Sequence, residues 1–156
     1  MKYIHIFLST GCLSGFIPIA PGTWGTLVGM LLYWAVAPLS IPAYLAFLLA
    51  FIFLSIWTSE AGAKIFMMMD PPKVVIDEMA GYLVTMAFHK PSLIIAIAGF
   101  ILFRFFDIVK PFPVGWIDKK LKGGVGIVLD DVMAGIYASV ALFGVVWIAG
   151  KFGITM

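Results

Sequence analysis

The chain has 156 residues, of which 63% are hydrophobic and 12% charged, about half the charged share of an ordinary soluble domain. With a mean hydropathy of +1.11 and 14 Phe, 5 Trp and 5 Tyr, both a disordered chain and a small water-soluble globule are excluded, and lipid is the expected surrounding. A net charge of +2, with no basic block beyond Lys119, Lys120 and Lys122, argues against nucleic acid as a partner, and the single cysteine, Cys12, excludes an intrachain disulfide or a cysteine-built zinc site.

Residues 1–20 begin with a basic residue and an apolar run that ends near the small Ala20, as a signal peptide does. Thr10, Gly11, Ser14 and Gly15 break that run, so the expectation is a retained re-entrant or interfacial stretch. Residues 3–59 carry no formal charge, enough for two membrane helices of about 20 residues each. Pro18, Pro21 and Gly22, then Pro38 and Pro42, divide this stretch into predicted helices over 23–37 and 41–61. The first is short for a full crossing, and is expected to be tilted or partly inserted. A loop over 62–72 leads to a predicted helix at 73–89, a turn at 89–91 and a helix at 92–109. The segment 110–130, rich in Pro and Gly, reads as a loop, and a last helix is predicted from 131 to about 149. The expected fold is all-α: one domain over 1–156, a polytopic membrane bundle of about five helices.

Alternating helix directions sort the charges. Lys2, Lys64, Lys73, Arg104, Lys110, Lys119, Lys120 and Lys122 fall at one face, against Lys90 and Lys151 at the other. The positive-inside rule makes the first face cytoplasmic. All the acids, Glu60, Asp70, Asp77, Glu78, Asp107, Asp118, Asp130 and Asp131, fall on that same face. Carboxylates at a membrane edge are costly, and their gathering where helix ends converge is the pattern of a site.

Four segments could carry chemistry. Asp77 and Glu78 point about 100 degrees apart on a helix, so one can hold a metal while the other takes a proton or hydrogen bond. Alternatively, they are a first-turn pair favoured by the macrodipole. Arg104, Asp107 and Lys110 form a stripe on one helix face, suited to phosphate and metal together or to mutual ion pairing. Asp130 and Asp131, at the expected helix start after a flexible glycine stretch, read as metal ligands or as caps. Pro21 to Thr26 offers backbone N–H groups to an anion, without the Lys of a nucleotide loop. Glu60 is a further candidate for the metal shell, or sits at the interface. His5 and His89 are the only histidines and His89 belongs to the opposite face, so oxygen ligation of Mg²⁺ or Mn²⁺ is favoured.

The segments GFIPIAPGTWGTL, VVIDEMAGY, FRFFDIVKPFPVGWID and GGVGIVLDDVMAG, in that order, resemble the phosphatidylglycerophosphatase A family over nearly the whole chain. The resemblance implies an all-helical enzyme of the bacterial inner membrane. It also implies Mg²⁺-dependent hydrolysis of phosphatidylglycerophosphate to phosphatidylglycerol and inorganic phosphate. By position it carries over Asp77, Glu78, Asp107, Asp130 and Asp131, with Arg104 and Lys110 beside them and Thr23 and Thr26 in the Gly-Thr loop. The expected mechanism is metal-assisted attack of water, with those acids as metal ligands or base and with Arg104, Lys110, Thr23 and Thr26 at the phosphate. An aspartyl-phosphate route is the alternative. The rival function, divalent-cation or proton transport through the clustered carboxylates, requires polar groups towards the other face, where the sequence offers only His89, Lys90 and Lys151.

Overall fold

A computed structural model describes residues 2–153. Among them there are seven α-helices and no strand: α1 (Lys2–Ser9), α2 (Pro21–Val36), α3 (Ile41–Phe66), α4 (Ile76–Met86), α5 (Leu93–Val109), α6 (Val114–Lys120) and α7 (Gly123–Lys151). The all-α class matches expectation, and five of the seven correspond to the predicted helices. The other two, α1 and α6, occupy the predicted interfacial start and the predicted 110–130 loop.

Two helices, α3 and α7, are long and apolar enough to cross a membrane, and their 26 and 29 residues span roughly 39 and 44 Å at 1.5 Å per residue. They run antiparallel: the Gly124 N–H at the start of α7 donates to Glu60 Oε2 near the end of α3, at 2.8 Å. Leu49, Phe53 and Trp57 on α3, and Val140, Phe143 and Trp147 on α7, are exposed, so the outer surface is apolar and points to membrane association.

At the centre stands α4, packed against α2, α3, α5 and α7. Its 11 residues reach only about 16 Å, too short to cross a bilayer. The expected helix over 73–89 is therefore shorter than predicted, and it is enclosed by protein. Tyrosines pin it: Tyr44 Oη donates to the Leu83 carbonyl (2.8 Å) and Tyr82 Oη to the Ala96 carbonyl (3.0 Å). Such bonds matter where no water can satisfy a polar group.

Glycines set how closely these helices approach. A Cβ on Gly29 of α2 would lie 2.9 Å from the Met79 Cα, and one on Gly81 of α4 would lie 2.7 Å from the Asp131 carbonyl oxygen of α7. The glycine stretch before Asp130 has the same use. It is helical rather than a flexible loop, because a Cβ on Gly124 would meet the Ile56 carbonyl and the Glu60 nitrogen of α3. Small residues at helix contacts are how apolar bundles pack tightly.

Boundaries elsewhere follow local chemistry. Helix α2 starts at Pro21, a residue preorganised for a first turn. Helix α3 continues past the expected end at 61, supported by the Glu60–Lys64 pair at 3.0 Å, and stops at Met67 with φ 53°. The N-terminal stretch packs into the body, where the Val75 N–H donates to the Ser9 carbonyl at 2.8 Å.

Gly81→Ala is expected to lower the thermal unfolding midpoint in detergent, at a cost of about 1–3 kcal/mol for overpacking. An unchanged midpoint would show that α4 and α7 do not depend on this close approach.

Candidate active site

The start of α2, the start of α4, the end of α5 and the third turn of α7 meet at one end of the bundle, around a cavity of about 220 Å³. Its wall contains Asp77 and Glu78 from α4, Arg104 and Asp107 from α5, Lys110 just beyond α5, and Asp130 and Asp131 from α7. Ala20, Pro21, Gly22 and Asp70 complete one side. Residues far apart in sequence converge because α2, α4 and α7 begin at this end of the bundle while α5 finishes there.

Within the cavity, carboxylate oxygens of Asp77, Glu78 and Asp131 all lie within 4.8 Å of one another. Asp77 and Asp131 are buried. Three hard oxygen donors so placed fit a divalent cation such as Mg²⁺ or Mn²⁺. The fit is reinforced by buried carboxylate oxygens that lack a hydrogen-bond partner, Asp77 Oδ1 and Glu78 Oε2, because a buried unpaired oxygen of this kind is expensive without a ligand.

Asp107 and Asp130 each spend an oxygen on a base. Arg104 Nη1 donates to Asp107 Oδ2 at 2.7 Å and lies 3.8 Å from Glu78 Oε1, while its Nε has no partner. Lys110 Nζ donates to Asp130 Oδ2 and, at 2.9 Å, to Asp118 Oδ1. Asp130 Oδ1 is left without a partner. Lys110 ends α5 in the left-handed region, at φ 45°, a conformation that costs a non-glycine residue about 1 kcal/mol. Burial alone would lower the pKa of its ammonium, but the bonds to Asp130 and Asp118 outweigh it and hold the group above its usual value. Lys110 therefore stays charged through the neutral range.

Asp130 and Asp131 lie two turns inside α7, which starts at Gly123, so they cap nothing. The Thr26 hydroxyl is buried and donates to the Gly22 carbonyl at 2.8 Å. Neither Thr23 nor Thr26 is on the cavity wall; Gly22 is. Glu60 is apart from the cluster, bound to Lys64 and the Gly124 N–H beside a different hollow flanked by Met67, Met68 and Met69. Sequence reasoning missed Gly22. A Cβ there would collide with Glu78 Oε1 and lie 3.0 Å from Arg104 Nη1. The signal was the glycine itself, placed directly after Pro21 in the first turn of α2.

This arrangement defines a class: an all-helical, membrane-associated protein with a cluster of buried carboxylates beside an arginine and a lysine in one cavity. The comparisons then identify the family. The phosphatidylglycerophosphatase A family model matches residues 7–146, and the chain belongs to that family. It is 38% identical over 144 residues to phosphatidylglycerophosphatase A of Haemophilus influenzae, covering 91% of this chain and 88% of the relative. It is 32% identical over 137 residues to phosphatidylglycerophosphatase A of Escherichia coli, covering 87% and 80%. A protein of Bacteroides thetaiotaomicron named "Putative phosphatidylinositol-3-phosphatase" is 35% identical over 166 residues, covering 96% and 98%. No solved structure gives a significant match.

Gly22→Ala is expected to displace the Glu78–Arg104 pair and reduce turnover by about tenfold to a hundredfold, the scale for a misplacement near 1 Å. Steady-state kinetics with a thermal-midpoint control checks this; full turnover would show that α2 does not position the pair.

Proposed function

We propose that this protein removes the terminal phosphate of phosphatidylglycerophosphate, releasing inorganic phosphate and leaving phosphatidylglycerol, with Mg²⁺ as cofactor. The observation that carries the reading is the meeting of Asp77, Glu78 and Asp131 with Arg104 and Lys110 in one cavity, in a chain of this family. The relatives from H. influenzae and E. coli carry the corresponding name.

In this reading α2, α3, α5 and α7 form a multi-pass bundle around α4 in a bacterial inner membrane, consistent with exposed Ile97, Ile101 and Phe105 on α5 as well as the apolar faces of α3 and α7. The excess of Lys and Arg at the cavity end supports a cytoplasmic orientation for it. A phosphomonoester at the lipid surface enters the cavity while its acyl chains stay in the bilayer.

Asp77, Glu78 and Asp131 would hold the Mg²⁺, which when bound supplies Lewis-acid stabilisation of negative charge around phosphorus. Arg104, held by Asp107, presents its free Nε edge to the phosphoryl oxygens. Lys110, held between Asp118 and Asp130, adds a fixed positive charge where the transferring group becomes more negative. Asp130 Oδ1 is the oxygen free to take a proton from the attacking water. The water oxygen bonds to phosphorus as the phosphorus–oxygen bond to glycerol breaks, and the departing oxygen gains a proton to become the terminal hydroxyl of phosphatidylglycerol.

Purified protein is expected to release phosphate from phosphatidylglycerophosphate with Mg²⁺ and to stop when the ion is chelated. Asp77→Asn and Asp131→Asn should abolish release while leaving the protein folded. No release by the native protein, with divalent-cation flux in proteoliposomes instead, would replace this reading with transport. Arg104→Lys, which keeps charge but loses the fork, should lower turnover by about a hundredfold; an unimpaired variant would make Arg104 structural. Acid quenching during turnover of radiolabelled substrate should leave no phosphate on the protein, and a trapped phosphoenzyme would overturn direct attack by water.

A further inference from the structure

A lipid of the proposed kind carries two phosphates, the terminal monoester that reacts and an internal diester that does not, joined by a three-carbon glycerol bridge. The diester keeps a negative charge at neutral pH, and the short bridge confines it to the immediate margin of the reaction cavity. A second cavity, of about 190 Å³, adjoins the first there: Asp70 and Ile127 stand in the walls of both. It lies where α6 turns into α7, and Lys119 and Lys122 are on its wall.

The charge state of this margin is specific. Around the cavity end, Lys64 is paired with Glu60, Arg104 with Asp107, and Lys110 with Asp118 and Asp130. Lys73 sits over the rings of Phe16 and Phe66. Among the described residues Lys119, Lys120 and Lys122 form no ion pair, and all three are exposed. Of these, Lys119 and Lys122 line the second cavity and Lys120 does not. Of the two acids on the wall of that cavity, Asp70 and Asp118, the latter lies 2.9 Å from the Lys110 ammonium, which it shares with Asp130. Asp70 stands on the wall common to both cavities, where its carboxylate would accept a hydrogen bond from the hydroxyl of a glycerol bridge spanning them.

We propose that the cavity at the α6–α7 junction takes the substrate's internal phosphodiester on Lys119 and Lys122, while the acidic cavity beside it takes the terminal phosphomonoester. This rests on the lipid-phosphatase reading of the neighbouring cavity. It makes the two lysines specificity residues that select lipids carrying a second phosphate one short bridge from the reacting one. Lysine suits this task, because a diester held at a water-exposed margin needs point charges rather than a rigid fork.

The test uses the full-length protein in neutral detergent micelles at fixed lipid mole fraction. The double variant Lys119→Ala/Lys122→Ala should raise KM for phosphatidylglycerophosphate by roughly fivefold to tenfold, the scale of two partly screened charge contacts, with kcat held within about twofold. Lys119→Arg/Lys122→Arg should restore KM. Lys120→Ala, which removes an equally exposed charge off the cavity, should leave KM unchanged. An unchanged KM in the double variant, a loss of kcat instead, or an equal effect of Lys120→Ala would overturn the proposal, the last by showing general attraction to an anionic surface. Phosphatidylglycerol keeps the diester and lacks the monoester, so its binding to the same micelles separates the two readings. Weaker binding by the double variant, in a protein that hydrolyses nothing, would keep the diester site and remove the phosphatase. Equal binding by native and double-variant protein would remove the diester site.

Discussion

Mutual repulsion among carboxylates crowded into one small cavity is the constraint around which the rest of this chain is arranged. Asp77, Glu78, Asp107, Asp130 and Asp131 share a wall at the end of an otherwise apolar bundle. Burying a charge among apolar helices is unfavourable unless it is paired or coordinated. Two of the acids accept a hydrogen bond from a base, Asp107 from Arg104 and Asp130 from Lys110, while Arg104 also stands 3.8 Å from Glu78. The remaining three face one another with unpartnered oxygens on Asp77 and Glu78. Such a group is costly when uncompensated, and the proposed divalent cation would remove the repulsion and use it for affinity.

Holding that cluster together demands backbones closer than ordinary side chains allow. Gly81 brings α4 against α7, which sets Asp77 and Glu78 opposite Asp131; Gly22 brings the start of α2 against Glu78 and Arg104; Gly124 brings α7 against α3. These close approaches leave the short α4 largely enclosed by its neighbours, tied to α3 by the bond from Tyr44 to the Leu83 carbonyl and to α5 by the bond from Tyr82 to the Ala96 carbonyl. Chemistry and packing are thus one problem here, because the residues that shape the cavity are also those that let an apolar bundle close without water.

Much of this was legible in the residues alone. The shortage of charge announced an apolar outer surface, the segregation of acids to one face announced the carboxylate cluster around one cavity, and the spacing of Arg104, Asp107 and Lys110 announced a stripe that the structure shows as an ion-paired edge of that cavity. The helix boundaries were harder. Glycine in sequence signals a turn as readily as a tight contact, so the stretch before Asp130 read as loop although it is helix. The Pro-Gly-Thr segment drew attention to its hydroxyls, yet the side chain that matters there is the missing one at Gly22. Glu60 looked like another member of the acidic set, and its partners, Lys64 and the Gly124 N–H, became visible only once α3 and α7 were placed side by side.

By itself the sequence determined the apolar surface, the helical class and the end of the molecule where charge gathers, since hydropathy and charge order are properties of the chain read in one dimension. Which acids face one another, which are neutralised by a base, and which glycine forms the cavity wall were decided only by the tertiary structure. Those distinctions depend on interhelical distances of a few ångströms, set by where glycines allow backbones to touch, and no spacing along the chain encodes them directly.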